Sequence, residues 1–526
     1  MKDLIQKLRD NEVNTIEYVE NKKKRKKTYR EMYNDTMNVY KHLEKIGLKI
    51  GQKIGLLCKN RYEFIILDLA CLYGGYIFVP LNYEIFKNKI ERAKTIFDLS
   101  FLVADEEINI QNDYIINIKE ITKSFNKIPA KELNNLDTQC AFDDNDDYTV
   151  ILTSGSTGEP KGMYVKLKSP SHFIKTCISK FNFEQDDKVI IFLPLTQFSS
   201  RCYYYSAILL GINMCLSIPT TVMFDLQYYK PTVLQGVPYF FESLYETFYS
   251  KIKNDEQSYK LYKDFINNKN IIPKHVLRET QKKLFKGIYD FWGGRMKYLI
   301  TGSAPIRKEV LEFFNDIGII LYEVYGLVET GLITMNYPGY EKIGSVGKVL
   351  DDVELILDKD NNIYIRSDYA WARSYINTDD KTNKEMFRED GTLATGDTGH
   401  IDKDGFLYLD GRSKDIIVLS NGKKVSPVSL ESKINKIDLV KQSVVYGDNH
   451  QYIIAVIVKN DEKTSRAEIK EELNKLNVSL NKDAEVHDFI IVNEPFSREN
   501  NQITPNMKLN RKKIIATYKI ELENLY

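Results

Sequence analysis

Residues that build metal centres and disulfide frameworks are sparse in this chain of 526 residues. Its six cysteines and six histidines are scattered, with no Cys-x-x-Cys pair and no other spacing typical of metal ligands. The isolated histidines also give no indication of a nucleophile–histidine arrangement. We therefore expect buried free thiols, and neither a zinc site nor disulfides.

Charge of one sign is lacking as well, because the formal net charge is +1 at pH 7. This balance gives no general reason to expect nucleic acid or a membrane surface as a partner. Residues 1–5 are charged and lack the apolar core of a signal peptide. The longest apolar run, 64–81, contains Asp68, Gly74 and Pro80, so it predicts a helix followed by a buried strand. We expect a cytoplasmic protein without an integral membrane segment.

The length of the chain predicts two or more domains. Strand and helix patterns alternate before Gly344, which predicts a doubly wound α/β region. Beyond Gly344 the pattern changes to short alternating strands, which predicts a β subdomain. The polar, turn-rich run 410–415 indicates a boundary, with a C-terminal domain of roughly a hundred residues after it.

A run of six basic residues occupies positions 22–27, between a predicted strand at 15–19 and a predicted helix start at 28–32. Such a run could contact anionic lipid or polyphosphate, or it could be the solvated tip of a hairpin. The usual behaviour of charge runs favours the hairpin tip.

A glycine-rich segment at 153–162, Thr-Ser-Gly-Ser-Thr-Gly-Glu-Pro-Lys-Gly, follows a predicted strand at 148–152. Its glycines permit backbone conformations in which consecutive N–H groups converge on an anion, and its hydroxyls and lysine add donors and charge. A flexible linker would need neither the strand nor the Pro-Lys-Gly ending. A P-loop requires Gly-Lys-Ser/Thr, which is lacking. The segment predicts a phosphate cradle of another class of nucleotide enzyme.

Three further predicted strands end in turns of small residues. They lead into the segments 236–238, 302–305 and 325–330. Ligands of open α/β sheets bind at the carboxyl ends of the strands. We therefore expect these three ends to converge on one site.

These segments, in this order, resemble the adenylate-forming superfamily of acyl-CoA synthetases, nonribosomal-peptide adenylation domains and beetle luciferases. The resemblance covers nearly the whole chain. It rests on five ordered motifs: the phosphate loop at 153–162, a Tyr-Gly-x-Thr-Glu-like motif at 325–329, Thr-Gly-Asp at 395–397, a hinge-like motif at 411–415 and Thr-Pro-x-Met-Lys at 504–508.

Within the superfamily, four passages are most similar to long-chain acyl-CoA synthetases: 231–238, 293–300, 420–427 and 504–509. A peptide-synthetase domain would carry an aspartate in its pocket segment to hold an ammonium group. The corresponding segment here, 193–198, is uncharged, which disfavours an amino-acid substrate.

The resemblance implies a fold and an activity. The fold is a large N-terminal domain over residues 1–410, with doubly wound sheets and a β subdomain, a hinge at 411–414, and a small mobile α+β domain over 415–526. The activity is activation of an apolar carboxylic acid by ATP and Mg²⁺ to acyl-AMP, with release of pyrophosphate, followed by transfer to coenzyme A. The nearest alternative is a ligase that loads a phosphopantetheinyl acyl carrier protein. A luciferase-type oxygenase and a non-catalytic nucleotide sensor are more remote.

The resemblance also implies roles for individual residues. ATP or AMP would be bound by Thr153, Ser154, Gly155, Ser156, Thr157, Gly158, Lys161, Ser303, Ala304, Pro305, Tyr325, Gly326, Asp397 and Arg412. The catalytic residues would be Lys508, which bridges the carboxylate and the α-phosphate, with Glu329 and Thr157, which hold Mg²⁺. The acyl pocket would be lined by Gln197, Phe198, Gly236, Val237 and Gly302. The hinge would turn about Lys414, and the pantetheine channel would contain Ser420, Asn421, Gly422 and Lys423.

Two positions depart from the family pattern. Val328 occupies the place of a threonine whose hydroxyl meets the α-phosphate, and a hydrogen bond to a charged group contributes about 1.5–3 kcal/mol. Gln197 occupies a place where long-chain relatives often have histidine at the mouth of the acyl pocket. We expect the first change to affect adenylation and the second to affect the choice of acid.

Overall fold

The structure is a computed structural model that describes residues 1–108, 112–133, 135–153, 160–497, 499–503 and 509–526. Its residues group into two compact units. Unit 1 comprises Met1–Ser303, Lys308–Glu354 and Ile365–Ala394, and unit 2 comprises Ala304–Arg307, Leu355–Tyr364 and Thr395–Tyr526.

The described residues form twenty-four strands. They are β1 (Thr15–Glu20), β2 (Lys23–Thr28), β3 (Lys53–Leu57), β4 (Ile77–Pro80), β5 (Phe101–Ala104), β6 (Ile115–Asn117), β7 (Asp147–Thr153), β8 (Lys161–Lys166), β9 (Lys188–Ile191), β10 (Asn213–Leu216), β11 (Val233–Gly236), β12 (Tyr298–Thr301), β13 (Leu321–Leu327), β14 (Gly331–Met335), β15 (Lys348–Val349), β16 (Glu354–Leu357), β17 (Asn362–Arg366), β18 (Leu393–Ile401), β19 (Leu407–Arg412), β20 (Ile417–Val418), β21 (Lys424–Val425), β22 (Val440–Tyr446), β23 (Ile453–Lys459) and β24 (Val486–Val492).

Twenty α-helices occur in the same part of the chain. They are α1 (Leu4–Arg9), α2 (Tyr29–Lys45), α3 (Tyr62–Gly74), α4 (Tyr83–Phe86), α5 (Ile90–Phe97), α6 (Ile118–Ser124), α7 (Ala130–Leu133), α8 (Lys168–Lys180), α9 (Phe198–Leu210), α10 (Val222–Tyr229), α11 (Pro238–Asn254), α12 (Glu256–Asn268), α13 (Lys274–Leu284), α14 (Lys286–Phe291), α15 (Lys308–Asp316), α16 (Asp380–Met386), α17 (Pro427–Ile434), α18 (Arg466–Asn477), α19 (Arg511–Thr517) and α20 (Lys519–Glu523).

Unit 1 contains a nine-stranded sheet with the order β15-β14-β13-β12-β11-β9-β10-β1-β2. The six strands from β13 to β1 are parallel, whereas β14, β15 and β2 pair with their neighbours in the antiparallel sense. Parallel strands covered on both faces are apolar, as the Tyr-Leu-Ile-Thr sequence of β12 illustrates. The carboxyl ends of the six parallel strands therefore lie at one edge of this sheet.

A second sheet of unit 1 has the order β6-β5-β3-β4-β7-β8. Its first five strands are parallel, and β8 returns antiparallel to β7. Between β3 and β4 lies α3, which ends where Gly75 adopts a φ of +73°. The helix and buried strand predicted for the run 64–81 are confirmed, as is the doubly wound α/β class.

Only the first residue of the basic run lies at the predicted hairpin tip. Asn21 and Lys22 form the tip, with φ angles of +48° and +62°, as expected for a two-residue type I′ turn. The remaining basic residues belong to β2, an edge strand paired with β1, and the first four residues of β2 are exposed. Charged side chains suit an edge strand because they discourage further strand pairing.

Unit 2 has an α+β construction around the three-stranded sheet β22-β23-β24. Successive residues of β23 point to opposite faces: Ile453, Ala455 and Ile457 enter one hydrophobic core, and the residues between them enter another. A two-stranded sheet pairs β20 with β21. The four-stranded sheet β16-β17-β18-β19, most of which belongs to unit 2, corresponds to the predicted region of short strands.

All six cysteines are free, and four of them are buried, which confirms the expectation of free thiols. Among the described residues, we find no helix with the length and hydrophobicity that a membrane crossing requires.

A buried ion pair connects three elements in the core of unit 1. Arg201 of α9 and Asp68 of α3 have side chains that are 0% and 1% exposed, and their Nη2–Oδ1 distance is 2.6 Å. Arg201 also donates to Thr149 of β7 at 2.8 Å, and Tyr204 and Tyr205 donate to Asp68. The beginning of α9 is thereby attached to the strand that precedes the glycine-rich segment.

We expect Arg201→Met to destabilise unit 1 strongly, because it leaves the Asp68 carboxylate buried without its cation. Removing one partner of a buried pair costs about 3–5 kcal/mol, whereas an exposed pair contributes about 0–1 kcal/mol. Arg295→Met is the matched control, since Arg295 and Asp186 form an exposed pair at 2.6 Å. Urea denaturation of both variants measures the difference. Equal midpoints for the two variants would contradict the importance assigned to the buried network.

Candidate functional site

Glu329 lies in the turn of the hairpin that joins β13 to β14. The register pairs Leu327 with Gly331, which places Val328, Glu329 and Thr330 in the turn. Thr330 stabilises this turn, because its Oγ1 accepts from Leu327 N at 3.1 Å and donates to the carbonyl O of Gly331 at 2.8 Å. Glu329 is only 6% exposed, so its carboxylate needs partners within the protein or in a ligand.

The hairpin depends on Gly326 because its two strands approach closely. The pairing of β13 with β14 shifts register between Tyr325 and Gly326. A Cβ atom at position 326 would lie 2.1 Å from the carbonyl O of Gly331, so a larger residue would push the strands apart. The glycine of the predicted Tyr-Gly pair therefore allows the close approach of the two strands that carry the Glu329 turn.

A segment at 371–376 connects this turn to the base of the glycine-rich segment. Ala372 N donates to the carbonyl O of Glu329 at 2.9 Å, and Ile376 N donates to the carbonyl O of Gly162 at 2.7 Å. We call residues 371–376 the bridging segment. It holds two hairpins from different sheets of unit 1 side by side.

Tyr375 of the bridging segment lies between the predicted phosphate lysine and the predicted metal ligand. Its hydroxyl donates to Glu329 Oε1 at 2.7 Å, and Lys161 Nζ lies 4.7 Å from the centroid of its ring. Burial, followed by the charge of Glu329, raises the pKa of Tyr375, so the phenol remains a protonated donor. Tyr375 lies outside every motif identified in the sequence. The one local signal was its position near a turn that follows the short strands.

The described ends of the glycine-rich segment include the last residue of β7 and the first residues of β8. Thr153 pairs with Lys161, and Leu152 pairs with Gly162, so both ends of the segment are fixed. The strand predicted at 148–152 is confirmed. The remaining predicted phosphate ligands lie outside the described residues: Ser154, Gly155, Ser156, Thr157 and Gly158.

The residues predicted for the adenine frame begin at the end of β12. Gly302, a predicted acyl-pocket residue, directly follows this strand. A Cβ atom there would lie 2.7 Å from the carbonyl O of Val324, so β12 and β13 approach closely at their carboxyl ends. Ser303 has a φ of +73° and is exposed. Tyr325 is buried in the neighbouring strand. Ala304 and Pro305 continue the chain into unit 2.

The predicted acyl-pocket residues occupy the starts of two helices in unit 1. Gln197 precedes the first residue of α9, and Val237 precedes the first residue of α11. Gly236 ends β11 beside the ring of Phe241. Phe198 is 3% exposed, and its ring centroid lies 4.6 Å from that of Trp371, so its contacts are with the core.

Asn60 fixes the segment that leads into α9, although it belongs to no motif identified in the sequence. Its side-chain nitrogen donates to the carbonyl O of Leu193 at 2.9 Å, and its Oδ1 accepts from Leu195 N at 2.8 Å. Longer bonds of 3.4 Å reach the carbonyl groups of Phe192 and Ser217. Asn60 follows β3, so a residue from the second sheet holds the strand ends of the first.

Glu323 is a buried titratable group that sequence reasoning also missed. It lies in β13 opposite Thr301, whose Oγ1 is buried without a partner among the described residues. Burial raises the pKa of Glu323 to about 8, and a hydrogen bond from the backbone of Gly344 opposes this shift only in part. The carboxyl group is therefore largely protonated at neutral pH.

In unit 2, Asp397 and Arg412 are direct neighbours on β18 and β19. They are register partners, and Arg412 Nε lies 2.8 Å from Asp397 Oδ1. The backbone N of Asp397 donates to Thr395 Oγ1 at 3.1 Å, which fixes the Thr-Gly-Asp turn. The arginine is half-exposed and the aspartate is largely buried. Arg412 therefore contacts the Asp397 carboxylate from one side and helps to orient it.

The predicted hinge and pantetheine residues follow in the same unit. Lys414 is exposed in a 3₁₀ turn at Ser413–Asp415. The residues Ser420–Lys423 form the exposed turn between β20 and β21, where Gly422 adopts a φ of +80°. In this turn Lys423 N donates to Asn421 Oδ1 at 3.0 Å.

Lys508 lies outside the described residues, but both ends of its segment are fixed. Ile503 pairs with Leu509, and Asn510 N donates to the carbonyl O of Gln502 at 2.8 Å. Arg511 then forms a two-pronged bond with the buried Glu431, with an Nη2–Oε2 distance of 2.8 Å. Charge-assisted pairs of this kind are among the stronger polar contacts in proteins.

We expect Glu323 to make stability depend on pH. The folded protein holds a proton on this carboxyl up to about pH 8, whereas the unfolded chain releases it near the ordinary pKa of 4.5. The stabilising contribution of the neutral group is therefore complete below pH 4.5 and is lost as pH rises towards 8, by at most about 1.4 kcal/mol per pH unit. Glu323→Gln cannot titrate at this position. The melting temperature of this variant minus that of the wild type should therefore increase between pH 5 and pH 8.

The exposed Glu279 of α13 supplies the matched control for this measurement. Glu279→Gln should follow the wild type at every pH. A constant difference between Glu323→Gln and the wild type over this range would show that Glu323 is ionised in the folded protein.

Comparison with known proteins identifies relatives over almost the whole chain. The family model described as AMP-binding enzyme matches residues 7–368, and the model described as AMP-binding enzyme C-terminal domain matches residues 414–526. The long-chain-fatty-acid–CoA ligase FadD15 of Mycobacterium bovis is 26% identical, over 92% of this chain and 89% of its own. The long-chain-fatty-acid–[acyl-carrier-protein] ligase AEE15 of Arabidopsis thaliana is 25% identical, over 95% of this chain and 83% of its own.

Solved structures share the fold. ATP-bound MatB from Rhodopseudomonas palustris superposes with a TM-score of 0.77 at 21% identity, over 98% of this chain and 99% of its own. The o-succinylbenzoate CoA synthetase MenE from Bacillus subtilis, in complex with its acyl-adenylate intermediate, superposes with a TM-score of 0.70 at 20% identity, over 98% of this chain and 97% of its own. Since the first family model alone covers well over half of the sequence, the chain belongs to the AMP-binding enzyme family, the adenylate-forming superfamily that its motifs resemble.

Proposed function

We propose that this protein activates an apolar carboxylic acid with ATP, releasing pyrophosphate, and transfers the acyl group from acyl-AMP to the thiol of coenzyme A. The observation that carries the proposal is the arrangement of Lys161, Tyr375 and Glu329, because it sets a cation and a buried carboxylate beside the glycine-rich loop. Splitting ATP requires both kinds of group: a cation for the phosphates and a carboxylate for their metal ion.

Attack of a carboxylate on the α-phosphate brings two anions together, so catalysis rests mainly on positioning and electrostatic stabilisation. Lys161 would hold the phosphates as pyrophosphate forms. Lys508 would bridge the attacking carboxylate and the α-phosphate. The pairing of Lys161 with Thr153 fixes where Lys161 leaves the backbone.

Glu329 fits Mg²⁺, because a buried carboxylate oxygen is the type of ligand that this ion takes together with phosphate oxygens. When bound, the ion neutralises phosphate charge. Tyr375 would keep the Glu329 carboxylate in one orientation through its bond to Oε1. Thr157 would supply a second oxygen.

Asp397 would accept hydrogen bonds from both ribose hydroxyls, since an ionised carboxylate offers several acceptor sites. Arg412 would hold that carboxylate through its Nε–H, while its Nη1 donates to the carbonyl O of Thr395 at 3.3 Å and its other donors would meet phosphate or ribose. Ser303, Ala304, Pro305, Tyr325 and Gly326 would frame the adenine.

A lysine used for adenylation must leave before a thiol can approach the acyl carbon. We propose that residues 415–526 turn about Lys414 between the two half-reactions, and that Ser420–Lys423 then lines the path of the pantetheine arm. Domain movements of this kind often limit turnover.

The acid is proposed to be apolar because the segment 193–198 carries no charge, and Asn60 uses its amide on the backbone of that segment. A carrier-protein acceptor is a second candidate, since one relative is named as a CoA ligase and another as an acyl-carrier-protein ligase. Acid-dependent exchange of labelled pyrophosphate into ATP tests adenylation. Thioester formation with coenzyme A or with a phosphopantetheinyl protein then separates the acceptors. Failure of exchange with every acid would favour a nucleotide sensor.

Tyr375→Phe should raise the Mg²⁺ concentration needed for half-maximal pyrophosphate release about tenfold. A hydrogen bond to a charged group contributes about 1.5–3 kcal/mol, part of which is regained by water. Tyr83→Phe is the matched control, because Tyr83 donates to Glu107 at 2.9 Å in an exposed pair. An unchanged Mg²⁺ requirement with a lowered maximal rate would contradict the role of Tyr375 in orienting Glu329.

Lys508→Ala and Lys414→Pro should affect opposite half-reactions. Lys508→Ala should reduce acyl-AMP formation at least a hundredfold and spare thiolysis of supplied acyl-AMP, whereas Lys414→Pro should slow thiolysis much more than adenylation. Lys512→Ala, at an exposed lysine nearby, and Lys414→Ala, which leaves the backbone free, are the controls. Equal loss of both half-reactions in either test variant would count against its assignment.

A further inference from the structure

Two exposed apolar side chains stand out on α10. Phe224 is 79% exposed and Tyr228 is 52% exposed. They are four residues apart, so they lie on the same face of the helix, while Val222 and Leu226 on the other face are buried. Met223 of the helix and Ile218, which lies before it, are exposed as well. Neighbouring exposed apolar side chains on a protein surface often mark an interaction site.

The basic strand β2 lies directly beside these residues. Lys24 places its ammonium group over the ring of Tyr228. Arg25 is paired with Glu20, and Lys27 with Asp35, but Lys22, Lys23 and Lys26 form no ion pair within the described part of the chain. Lys24 and Lys26 lie on the same face of β2, because alternate residues of a strand point to one side. We call the group formed by Lys22, Lys24, Lys26, Met223, Phe224 and Tyr228 the β2–α10 surface.

Acidic groups close to this surface are already engaged. Glu17 is paired with Lys188 at 2.7 Å, and Glu20 with Arg25 at 2.9 Å. Asp225 of α10 accepts hydrogen bonds from Ser217 and Thr221 at 2.6 and 2.7 Å. Because bonds from hydroxyls leave the charge of Asp225 in place, this carboxylate offsets one cation. The six cations at 22–27 still outnumber the carboxylates Glu20, Asp35 and Asp225, so a positive charge remains.

Strand direction places the β2–α10 surface at a definite edge of the nine-stranded sheet. β1, which leads into Lys22, is parallel to β10, which leads into α10, and β10 is parallel to β9. The segment 193–198 follows β9. The surface and the predicted acyl-pocket segment therefore lie at the same edge of the sheet.

We propose that the β2–α10 surface binds a lipid membrane that contains anionic headgroups. Lysines beside a membrane are attracted by its negative surface potential, and aromatic side chains are suited to the boundary between headgroups and acyl chains. A nucleic acid would also attract the lysines and could stack on Phe224, but the exposed aliphatic side chains of Ile218 and Met223 suit acyl chains and not bases. The binding does not rest on the proposed function, although an apolar acid dissolved in a membrane would reach the acyl pocket at this edge.

Sedimentation of the full chain with vesicles tests this proposal. We expect binding to vesicles of phosphatidylcholine and phosphatidylglycerol in a 7:3 ratio, at least tenfold weaker binding to phosphatidylcholine alone, and weaker binding in 0.5 M than in 0.1 M NaCl, because salt screens the attraction. The triple variant K22E/K24E/K26E should lower the partition coefficient about tenfold or more, since each lysine near an anionic membrane contributes a severalfold increase. Phe224→Ser should lower it severalfold.

Matched changes elsewhere provide the controls. K251E/K253E/K260E makes the same change of charge at three exposed lysines of α11 and α12, and Ile271→Ser removes a side chain that is 80% exposed. Both should bind vesicles as the wild type does. Pyrophosphate exchange with a short, water-soluble acid should be unchanged in all variants, which shows that they are folded and keeps this test separate from that of the proposed function.

Three results would overturn the proposal: equal binding to both kinds of vesicle, equal losses in the test and control variants, or sedimentation with neither vesicle. Binding of polyphosphate or duplex DNA that the triple variant abolishes, without vesicle binding, would assign the surface to a soluble polyanion instead.

Discussion

Two backbone hydrogen bonds of the bridging segment, from Ile376 N to Gly162 O and from Ala372 N to Glu329 O, hold together hairpins that belong to different sheets. One hairpin carries the glycine-rich loop, and the other carries Glu329. Because backbone bonds do not depend on side-chain identity, the distance between the two hairpins is set by the fold. Tyr375 then adds a side-chain link between Lys161 and Glu329. The two charged groups are therefore positioned by side-chain contacts on a backbone whose arrangement is already set.

The sequence was most informative where local rules act. Glycine and proline marked the ends of strands, and apolar runs marked the buried strands themselves, so the doubly wound class and the strand before the glycine-rich loop could both be predicted. Motif order led to the family, which no single motif could have shown. The roles of Asp397, Arg412, Glu329 and the other site residues remain predictions, although Asp397 and Arg412 are paired on adjacent strands.

What could not be predicted depends on contacts between distant parts of the chain. Asn60 meets Leu193, Arg201 meets Asp68, and Tyr375 meets Glu329, and none of these pairs has a local pattern. The pKa of Glu323 likewise depends on burial by neighbours that only the folded chain supplies. Net charge is an average over the whole chain, so it carries no information on the six adjacent cations at 22–27, five of which lie on β2.

The pairing at the base of the two predicted catalytic segments constrains how such a protein can change over evolution. Thr153 is paired with Lys161, and Ile503 with Leu509, so the described residues on both sides of 154–159 and 504–508 are held in register. In β7 and β8, a shift of one residue would turn every side chain to the opposite face of the strand. Substitutions between the paired residues leave these pairs in place, whereas an insertion or deletion within β7 or β8 would break the register. Length should therefore be constrained more strongly in these two strands than in the segment between them.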